Sequence, residues 1–330
     1  MDELSSNRKI MNPLPCDFPH GWRINRTTTD PDQMKEFAVG WSIEQTQLEA
    51  GKYLGRICGV HTRMIQLGLS EHSVSTHIHG AAPDGSVVLA LRLPSPRPTS
   101  FRGQRLELRE MAIIRSGEEI DSLHAGAAQI LTVAIQQSYA DQIARSHGAE
   151  SFHQLFPRDK QNSISPDGFA ATGQQLLRLL DQISQNDPPF ADAAAGDRFE
   201  HRLIATLFAQ IDFNRIRQNG PGPRNLAKLA ETYLHQHPCQ ALDLLPLCRE
   251  LSSTPRTVQL SFSKTFGLSM KSYAQALRFN GARRDLLAAH PAIDSVKAVA
   301  IGWGFRHLGR FSSDYFRWFG ECPSITLAKC

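Results

Sequence analysis

Apolar residues in the first half of the chain recur at every second position. Between residues 51 and 135, Ile65, Leu67 and Leu69 alternate with polar or small residues, and a short apolar run at 87–93 is followed by a proline cluster. Alternation of this kind is typical of half-buried β-strands, and glycine and proline clusters are typical of the turns between them. The pattern predicts a small β-rich barrel or sandwich.

The apolar spacing changes to that of an amphipathic helix after about residue 140. Two stripes have this spacing, one of Leu176, Leu179, Leu180 and Ile183 and one of Phe199, Leu203, Leu207 and Ile211. Each stripe must be buried either against the sheet of the same chain or against a second copy, and periodicity alone leaves both alternatives open. The sequence Asn-Gly-Pro-Gly-Pro at 219–223 then predicts a linker, because glycine and proline stop helices.

A pair of short helices joined by a tight turn is predicted at residues 298–323. The first helix ends near Trp303, Gly304 permits a sharp turn because it has no Cβ, and a second helix covers 307–319. Pro323 stands where that helix cannot continue. This layout is a helix-turn-helix, which presents its second helix to the major groove of DNA.

Residues 244–267 repeat this layout. Ser252 takes the place of the turn glycine. Thr254, followed by a proline, predicts the start of a second helix over 254–266, because threonine caps a helix and proline is favoured in its first turn. Between the two pairs, a long amphipathic helix over 269–289 is expected to fix their spacing and angle.

Outward-facing positions on the second helix of each pair are the predicted DNA contacts. They are Arg256, Thr257, Gln259, Leu260 and Ser263 at helix 254–266, and Arg306, His307, Arg310, Ser313 and Arg317 at helix 307–319. Arg256 and Gln259 lie three apart on one helix face, where arginine can pair with guanine and glutamine with adenine. The alternative is that they contact phosphate or solvent. Ser252 and Gly304 are predicted to be structural turn residues.

Residues around these helices also follow a known family order. The second pair has Gly304-Phe305, Tyr315, Phe319-Gly320 and Pro323-Ser324, and upstream the chain has Phe262, Gly267, Tyr273, Arg278 and Ala282. With these residues in this order, positions 222–330 resemble the DNA-binding domain of AraC/XylS-family transcription regulators. The run at 296–315 is most similar to ethanolamine-utilisation-type regulators, and the stretch before Tyr53 resembles the start of their sensor domain. Ser252, Leu260 and Ser313 depart from the usual family residues, which affects individual base contacts and not the fold.

The resemblance implies an α+β protein of three parts. Residues 1–157 would form an effector-sensing, β-rich, cupin-like domain, 158–218 a helical linker or dimerisation segment, and 222–330 an all-α double helix-turn-helix domain. The implied function is sequence-specific DNA binding by a transcription regulator, an activator rather than a repressor, that responds to a small-molecule effector. The implied partners are double-stranded promoter DNA, the effector, RNA polymerase and a second copy of the chain, with no cofactor, bound metal or catalysis.

The distribution of charge agrees with a nucleic-acid partner. The whole chain has a net charge of only +4, but residues 222–330 hold 14 Lys and Arg against 7 Asp and Glu. An excess of this kind attracts phosphates, although a solvated basic surface would have the same composition. Six scattered cysteines without C-x-x-C spacing, no signal-peptide pattern and no apolar run long enough to span a bilayer predict a cytoplasmic protein without a membrane partner.

A rival interpretation is an enzyme that carries the same DNA-binding tail. His77 and His79 are two apart on a predicted strand and would face the same side, as metal ligands of cupin enzymes do. The acidic residue that follows such a pair is missing, so histidines on a surface or loop are the preferred interpretation. Cys322 raises the alternative of cysteine-based DNA repair, but it occupies a variable position before Pro323. Stoichiometric metal on His77 and His79 would favour the enzyme.

Overall fold

The computed structural model describes residues 21–95, 97–106, 110–156, 163–164, 169–186, 189–209, 226–239, 244–250, 253–290 and 295–329. Its strands are β1 (Arg23–Thr28), β2 (Ser42–Gln47), β3 (Gly55–His61), β4 (Ile65–His72), β5 (Thr76–Ala81), β6 (Ser86–Arg92), β7 (Thr99–Phe101), β8 (Gln104–Leu106), β9 (Met111–Ile114), β10 (Glu119–His124), β11 (Ala128–Gln136) and β12 (Ser163–Ile164). The predicted linker at 219–223, Ser252 and the domain boundaries at 157–158 and 218–222 lie outside the described residues.

The helices dominate the second half of the chain. They are α1 (Met34–Phe37), α2 (Gln137–Ser146), α3 (Phe152–Leu155), α4 (Phe169–Ser184), α5 (Ala193–Phe208), α6 (Leu226–Gln236), α7 (Leu245–Glu250), α8 (Pro255–Phe266), α9 (Met270–Ala288), α10 (Val296–Gly302), α11 (Leu308–Phe319) and α12 (Pro323–Leu327). The predicted fold class is confirmed, with a β-rich part followed by an all-helical part. Within the described residues, none of these helices has the length and apolar character needed to cross a membrane.

The strands form two antiparallel sheets that face each other. The larger sheet has the order β1-β3-β4-β11-β6-β9-β12, and the smaller has the order β2-β5-β10-β7-β8. Their inner faces share a core that includes Val88 and Ala134 from the larger sheet and Phe101 and Ile120 from the smaller. This sandwich agrees with the alternating pattern, because every second residue of a strand points to the same face.

The outer face of the larger sheet is covered by α2, α4 and α5. Leu67 and Val133 of the sheet share one buried cluster with Leu180 of α4 and Leu203 of α5. The described residues of both amphipathic stripes therefore form core within the chain, the first of the two alternatives that periodicity left open. Ile211 of the second stripe lies outside the described residues. Dimerisation through this segment gains no support from its apolar faces.

The helical end is built around α9. Phe279 in the middle of α9 packs its ring 4.7 Å from that of Phe305, 5.3 Å from that of Trp318 and 5.9 Å from that of Phe311. Aromatic contacts at these centroid distances contribute beyond the area they bury. Because α9 also contacts α6 and α8, it connects the two helix pairs through one continuous core, as predicted for the helix at 269–289.

The helical end also packs on the smaller sheet. The Asn280 side chain of α9 donates to the backbone oxygen of Gln47 at 2.6 Å and accepts from its backbone nitrogen at 3.3 Å. Arg283 donates to both carboxylate oxygens of Asp30 at 2.9 Å. Leu48 from the β-rich part is buried in the core of the helical end. The smaller sheet and the helical end are thus in direct contact.

Candidate nucleic-acid interface and interior cavity

Helix α8 has one face that packs into the core and one face that is exposed to solvent. Val258, Phe262 and Phe266 are buried at i, i+4 and i+8, which fixes the helix against the core. The Thr254 hydroxyl accepts from the backbone nitrogen of Thr257 at 3.2 Å and caps the helix N-terminus. Gly267 ends the helix with φ +69°. The observed span agrees with the predicted helix at 254–266.

All five residues predicted at α8 lie on its exposed side. They are Arg256, Thr257, Gln259, Leu260 and Ser263. The Ser263 hydroxyl donates to the backbone oxygen of Leu260 at 3.2 Å. Arg256 and Gln259 form no hydrogen bond or ion pair with any described residue, so their donors and acceptors are available to a ligand. Leu260 is 47% exposed, which offers an apolar contact such as a thymine methyl group requires.

Helix α11 also has one buried face and ends at a glycine, but the residues on its exposed face differ from those of α8. Phe311, Tyr315 and Trp318 are buried, and Gly320 ends the helix with φ +73°. His307 occupies the N-cap position but its side chain makes no capping hydrogen bond. The predicted residues Arg306, His307, Arg310, Ser313 and Arg317 all lie outside the buried face. The structure therefore places both predicted sets on solvent-facing surfaces of their helices.

Asp314 gives α11 an internal counterion. Arg317 donates to one of its carboxylate oxygens at 2.9 Å, and Arg310 lies 3.6 Å from the other. The two arginine side chains remain 72% and 83% exposed, so the ion pairs are well solvated. Exposed pairs of this kind contribute about 0–1 kcal/mol. Phosphate can therefore compete with Asp314 for either arginine.

Gly304 makes the turn before α11 as expected. Its φ is +77°, and its backbone nitrogen donates to the carbonyl of Ile301 at 2.9 Å. A Cβ at this position would lie 2.7 Å from the backbone oxygen of Cys239. Both the backbone angle and the close approach thus require glycine.

Gly281 is a packing residue that the sequence did not reveal. A Cβ on this residue of α9 would lie 2.1 Å from the Trp303 ring, which rests on the glycine. The Trp303 indole also donates to Asp285 at 2.7 Å. Trp303 therefore fixes α10 on α9, and with it the position of α11.

A cavity of about 120 Å³ lies between the two sheets. Its walls are mostly apolar and include Trp22, Trp41 and Phe101. A cavity of roughly 150 Å³ accommodates one benzene-sized molecule, so the space fits a small organic ligand. Apolar walls with a few convergent polar groups are the usual character of such sites. The lining comes from strands of both sheets, which no local sequence motif could indicate.

Several buried polar side chains face this cavity. Gln66 accepts from the Trp41 indole at 2.5 Å, and the His124 ring lies 3.1 Å from the hydroxyl of Thr99. Burial lowers the pKa of His124 well below its usual value, which keeps the ring neutral. Arg92 is 6% exposed, and its Nε forms no hydrogen bond with any described residue. The cavity therefore offers a buried cationic donor within an apolar wall.

The preferred interpretation of His77 as a surface or loop histidine is wrong. His77 lies within β5 and is buried, because α6 and α9 of the helical end cover that face of the strand. His79 is exposed and its ring lies 2.7 Å from the Glu119 carboxylate. The two rings share one face of β5, but their centroids are 6.3 Å apart and their partners differ. The sequence contained the alternation of β5 but no sign of what covers it.

Comparisons with known proteins agree with this geometry. A family described as a helix-turn-helix domain matches residues 247–329. The probable thc operon regulatory protein of Rhodococcus erythropolis is 31% identical over 168 residues, which cover 47% of this chain and 49% of that protein. The XylDLEGF operon transcriptional activator of Pseudomonas putida is 35% identical over 129 residues, which cover 39% of each. The chain thus spans about half the length or less of these curated relatives.

Solved structures of two regulators are also similar to this chain. A probable AraC family transcriptional regulator from Rhodopseudomonas palustris is 28% identical, covers 32% of this chain and 96% of that one, and has a TM-score of 0.29. The AraC-like transcriptional activator CuxR is 12% identical, covers 79% of this chain and 96% of that one, and has a TM-score of 0.41.

Proposed function

We infer that this chain, whose C-terminal part is an AraC/XylS-type helix-turn-helix domain, is a sequence-specific DNA-binding transcription regulator. The observation that carries the proposal is the pair of exposed faces on α8 and α11, both anchored to α9. Each face holds arginine beside amide or hydroxyl side chains, the residue types that read base edges in the major groove. The 14 Lys and Arg in 222–330 supply attraction to phosphate.

In this proposal, residues 222–330 bind promoter DNA with α8 and α11 in successive grooves. Arg256 and Gln259 contact bases from α8, while Arg306, His307 and Arg310 divide their contacts between one base and one or two phosphates. Ser313 and Arg317 extend the α11 surface, and Thr257, Leu260 and Ser263 extend that of α8. Successive major-groove faces recur about every 10 base pairs, so one chain contacts two segments at about that spacing.

The cavity between the sheets supports a role for a small-molecule effector. Its wall includes Gln45 of β2 and Thr99 of β7, two strands of the sheet on which the helical end packs. Two positions beyond Gln45, Gln47 exchanges hydrogen bonds with Asn280 of α9. An effector that binds one arrangement of these strands more tightly shifts the population of α9 positions. We propose a ligand with an apolar body and one polar group, because Arg92 is the buried cation of the wall.

We also propose that the protein acts as an activator in the cytoplasm, alongside RNA polymerase, and that it works on DNA as a homodimer. The curated relative from Pseudomonas putida is described as a transcriptional activator, which supports the first point. Catalysis forms no part of the proposed function. The stripes of α4 and α5 are buried within the chain, so the dimer would have to use another surface.

A pull-down of genomic fragments with the full chain, followed by sequencing, tests the proposal. The expected result is a shared motif of two segments, centred about 10 base pairs apart. The matched control is the double variant Arg256→Ala/Arg310→Ala, which leaves the buried anchors of both helices in place. Recovered fragments that share no motif, or a motif unchanged in the double variant, would contradict the assignment of α8 and α11 as reading helices.

A further inference from the structure

Four polar side chains meet where the smaller sheet contacts the helical end. His77 projects from β5, Glu231 and His235 from α6, and Tyr273 from α9. The Tyr273 hydroxyl lies 3.0 Å from His77 Nδ1, 2.9 Å from Glu231 Oε1 and 2.9 Å from His235 Nε2. His77, Glu231 and Tyr273 are buried, while His235 lies at the open rim. The cluster therefore joins the two parts of the molecule around one hydroxyl group.

Among the described residues, this cluster has fewer hydrogen-bond donors than acceptors while His77 is neutral. Asp121 lies 2.8 Å from His77 Nε2, and because its carboxylate can only accept, the ring proton of a neutral His77 is assigned to Nε2. His77 Nδ1 then presents a lone pair to the Tyr273 hydroxyl, as the Glu231 carboxylate also does. The hydroxyl has one proton and cannot donate it to both. A buried acceptor left without a donor is costly, so the cluster is suited to a further cation.

The arrangement has the features of a metal site. One ligand atom from each of His77, Glu231 and His235 lies within 4.8 Å of the other two. Ligands of tetrahedral zinc, at about 2.0–2.1 Å from the ion, are about 3.4 Å apart, so the three ligand atoms must draw together and the Tyr273 hydroxyl, which contacts all three, must move aside. Glu231 and His235 are four apart on α6 and share one face, and His235 at the rim has room to move.

Neighbouring charged residues orient these ligands so that they can bind a cation. The contact from His77 to Asp121 repeats the arrangement in which a carboxylate orients a metal-binding histidine. Lys228 pairs with Oε2 of Glu231 at 3.0 Å, which leaves Oε1 facing the cluster. Lys228 also contacts Asp121, so one ammonium group is set against two carboxylates.

We propose that His77, Glu231 and His235 form a binding site for a divalent metal of the zinc type, shared between the β-sandwich and the helical end. Two imidazole nitrogens and one carboxylate oxygen suit zinc and similar ions better than magnesium or calcium. The Tyr273 oxygen or a water molecule fills the fourth position. Ions reach the site through the open space of about 630 Å³ between the two parts, which His235 and His79 also line.

This site goes beyond DNA and effector binding. It differs from the pair of His77 and His79 that the sequence brought to attention, because His79 is directed to Glu119 instead. A bound ion would tie β5 to α6, whose neighbour in the core is α8. Metal occupancy would then hold α8 at a fixed position relative to the sandwich and restrict the arrangements in which both helix pairs reach DNA.

Zinc binding to the full chain tests the site without DNA. Tag-free protein is freed of metal with a chelator, and Zn²⁺ uptake is measured by equilibrium dialysis with elemental analysis. One tightly bound ion per chain is expected, with affinity reduced more than about 10–100-fold in His235→Ala and in Glu231→Gln, since even outer-shell partners contribute that much. His79→Ala is the matched control, because His79 lies on the same face of β5, and it should bind as wild type does.

Two further measurements separate a metal site from a structural network. The spectrum of bound Co²⁺ should change in Asp121→Asn, with affinity lowered about 10–100-fold but binding retained. The melting temperature should rise with Zn²⁺ in wild type and in His79→Ala but not in His235→Ala, which is at the rim and should fold normally by circular dichroism. Absence of one-to-one uptake by wild type, or uptake that survives His235→Ala or is lost in His79→Ala, would overturn the proposal. Neither result depends on whether the chain binds DNA.

Discussion

Helices α8 and α11 have a common scaffold, and they differ in the charge around their exposed cations. Each buries three large apolar residues on one side and ends at a glycine with positive φ. On α8, Arg256 has no ion-pair partner among the described residues, whereas on α11 Arg310 and Arg317 both face Asp314. We therefore expect α8 to contribute the stronger base contact, and the arginines of α11 to exchange one counterion for another when they bind phosphate.

The N-terminal ends of the two helices are also held in different ways. Thr254 caps α8 with its hydroxyl, while His307 at the equivalent position of α11 makes no capping bond. The turn before α11 instead depends on Gly304 and on the Trp303 ring packed over Gly281. Local hydrogen bonding thus fixes the start of α8, and tertiary packing fixes the start of α11.

The largest effect is expected for Gly304→Val. The new side chain would meet the backbone oxygen of Cys239, since even its Cβ would lie 2.7 Å from that atom, and the φ of +77° adds strain. Backbone strain alone costs about 1–3 kcal/mol, so the free energy of unfolding should fall by at least that amount. Chemical denaturation measures the change. Gly302→Ala is the control, because a Cβ on Gly302 would meet no described residue outside its own helix turn within 4 Å, and its φ is not positive.

This variant also tests whether the two helix pairs are independent. If α10–α11 is displaced while α8 stays anchored to α9, the protein should lose preference in one DNA segment and keep it in the other. Equal stability of Gly304→Val and wild type would show that the turn adapts. Loss of preference in both segments would show that the common core transmits the change to α8.

Arg256→Ala and Arg310→Ala should have different effects on DNA recognition. A bidentate contact to a base discriminates by about 1–3 kcal/mol, so Arg256→Ala should relax preference in one segment of the site by that amount. Arg310→Ala should relax base preference in the other segment. If Arg310 instead contacts phosphate, the substitution should lower the affinity for all sequences by a similar factor. Selection from randomised DNA distinguishes these results. A loss at the same base pairs in both variants would contradict the two-segment model.

Thr254→Ala sharpens the comparison of the two helix starts. Removing a side-chain cap costs about 0.5–2 kcal/mol, so this variant should unfold more readily than wild type. Thr254→Ser keeps the hydroxyl and is the matched control. Substituting His307 by alanine should change the free energy of unfolding less than Thr254→Ala does, because no capping bond is lost. Thermal and chemical unfolding of the four proteins, wild type included, provide the comparison.

The elements of the helical end were predictable because their signals are local. Thr254 and Pro255 mark the start of α8, Gly320 marks the end of α11, and apolar residues at i and i+4 identify the buried faces. Exposure of the predicted DNA contacts follows from that same spacing. These features need only about one helical turn of sequence, and tertiary contacts reinforce them.

The interior cavity and the polar cluster were not predictable in this way. His77 meets Tyr273 across 196 residues, and no local pattern reports a partner at that distance. Arg92 faces the cavity because β6 alternates between the outer core and the space between the sheets, but the sequence does not state which face is enclosed. The order of the strands in each sheet decides which side chains meet. That order depends on pairings between strands distant in sequence, such as β4 with β11.

Asp314→Asn is the smallest change and tests the central comparison most directly. The variant removes a negative charge beside Arg310 and Arg317 while keeping the size of the side chain. Because exposed ion pairs contribute about 0–1 kcal/mol, the free energy of unfolding should change by less than about 1 kcal/mol.

DNA affinity should rise in Asp314→Asn, since neither arginine must leave a carboxylate to bind phosphate. The rise should be largest at low salt, where charges are least screened, and measured affinities at several salt concentrations would show it. Asp84→Asn is the matched control, because it removes the same charge from an exposed turn of the β-sandwich, between β5 and β6. Unchanged affinity in Asp314→Asn at every salt concentration would mean that the α11 arginines do not approach the phosphates, and DNA binding would then depend on α8 and the residues before α11.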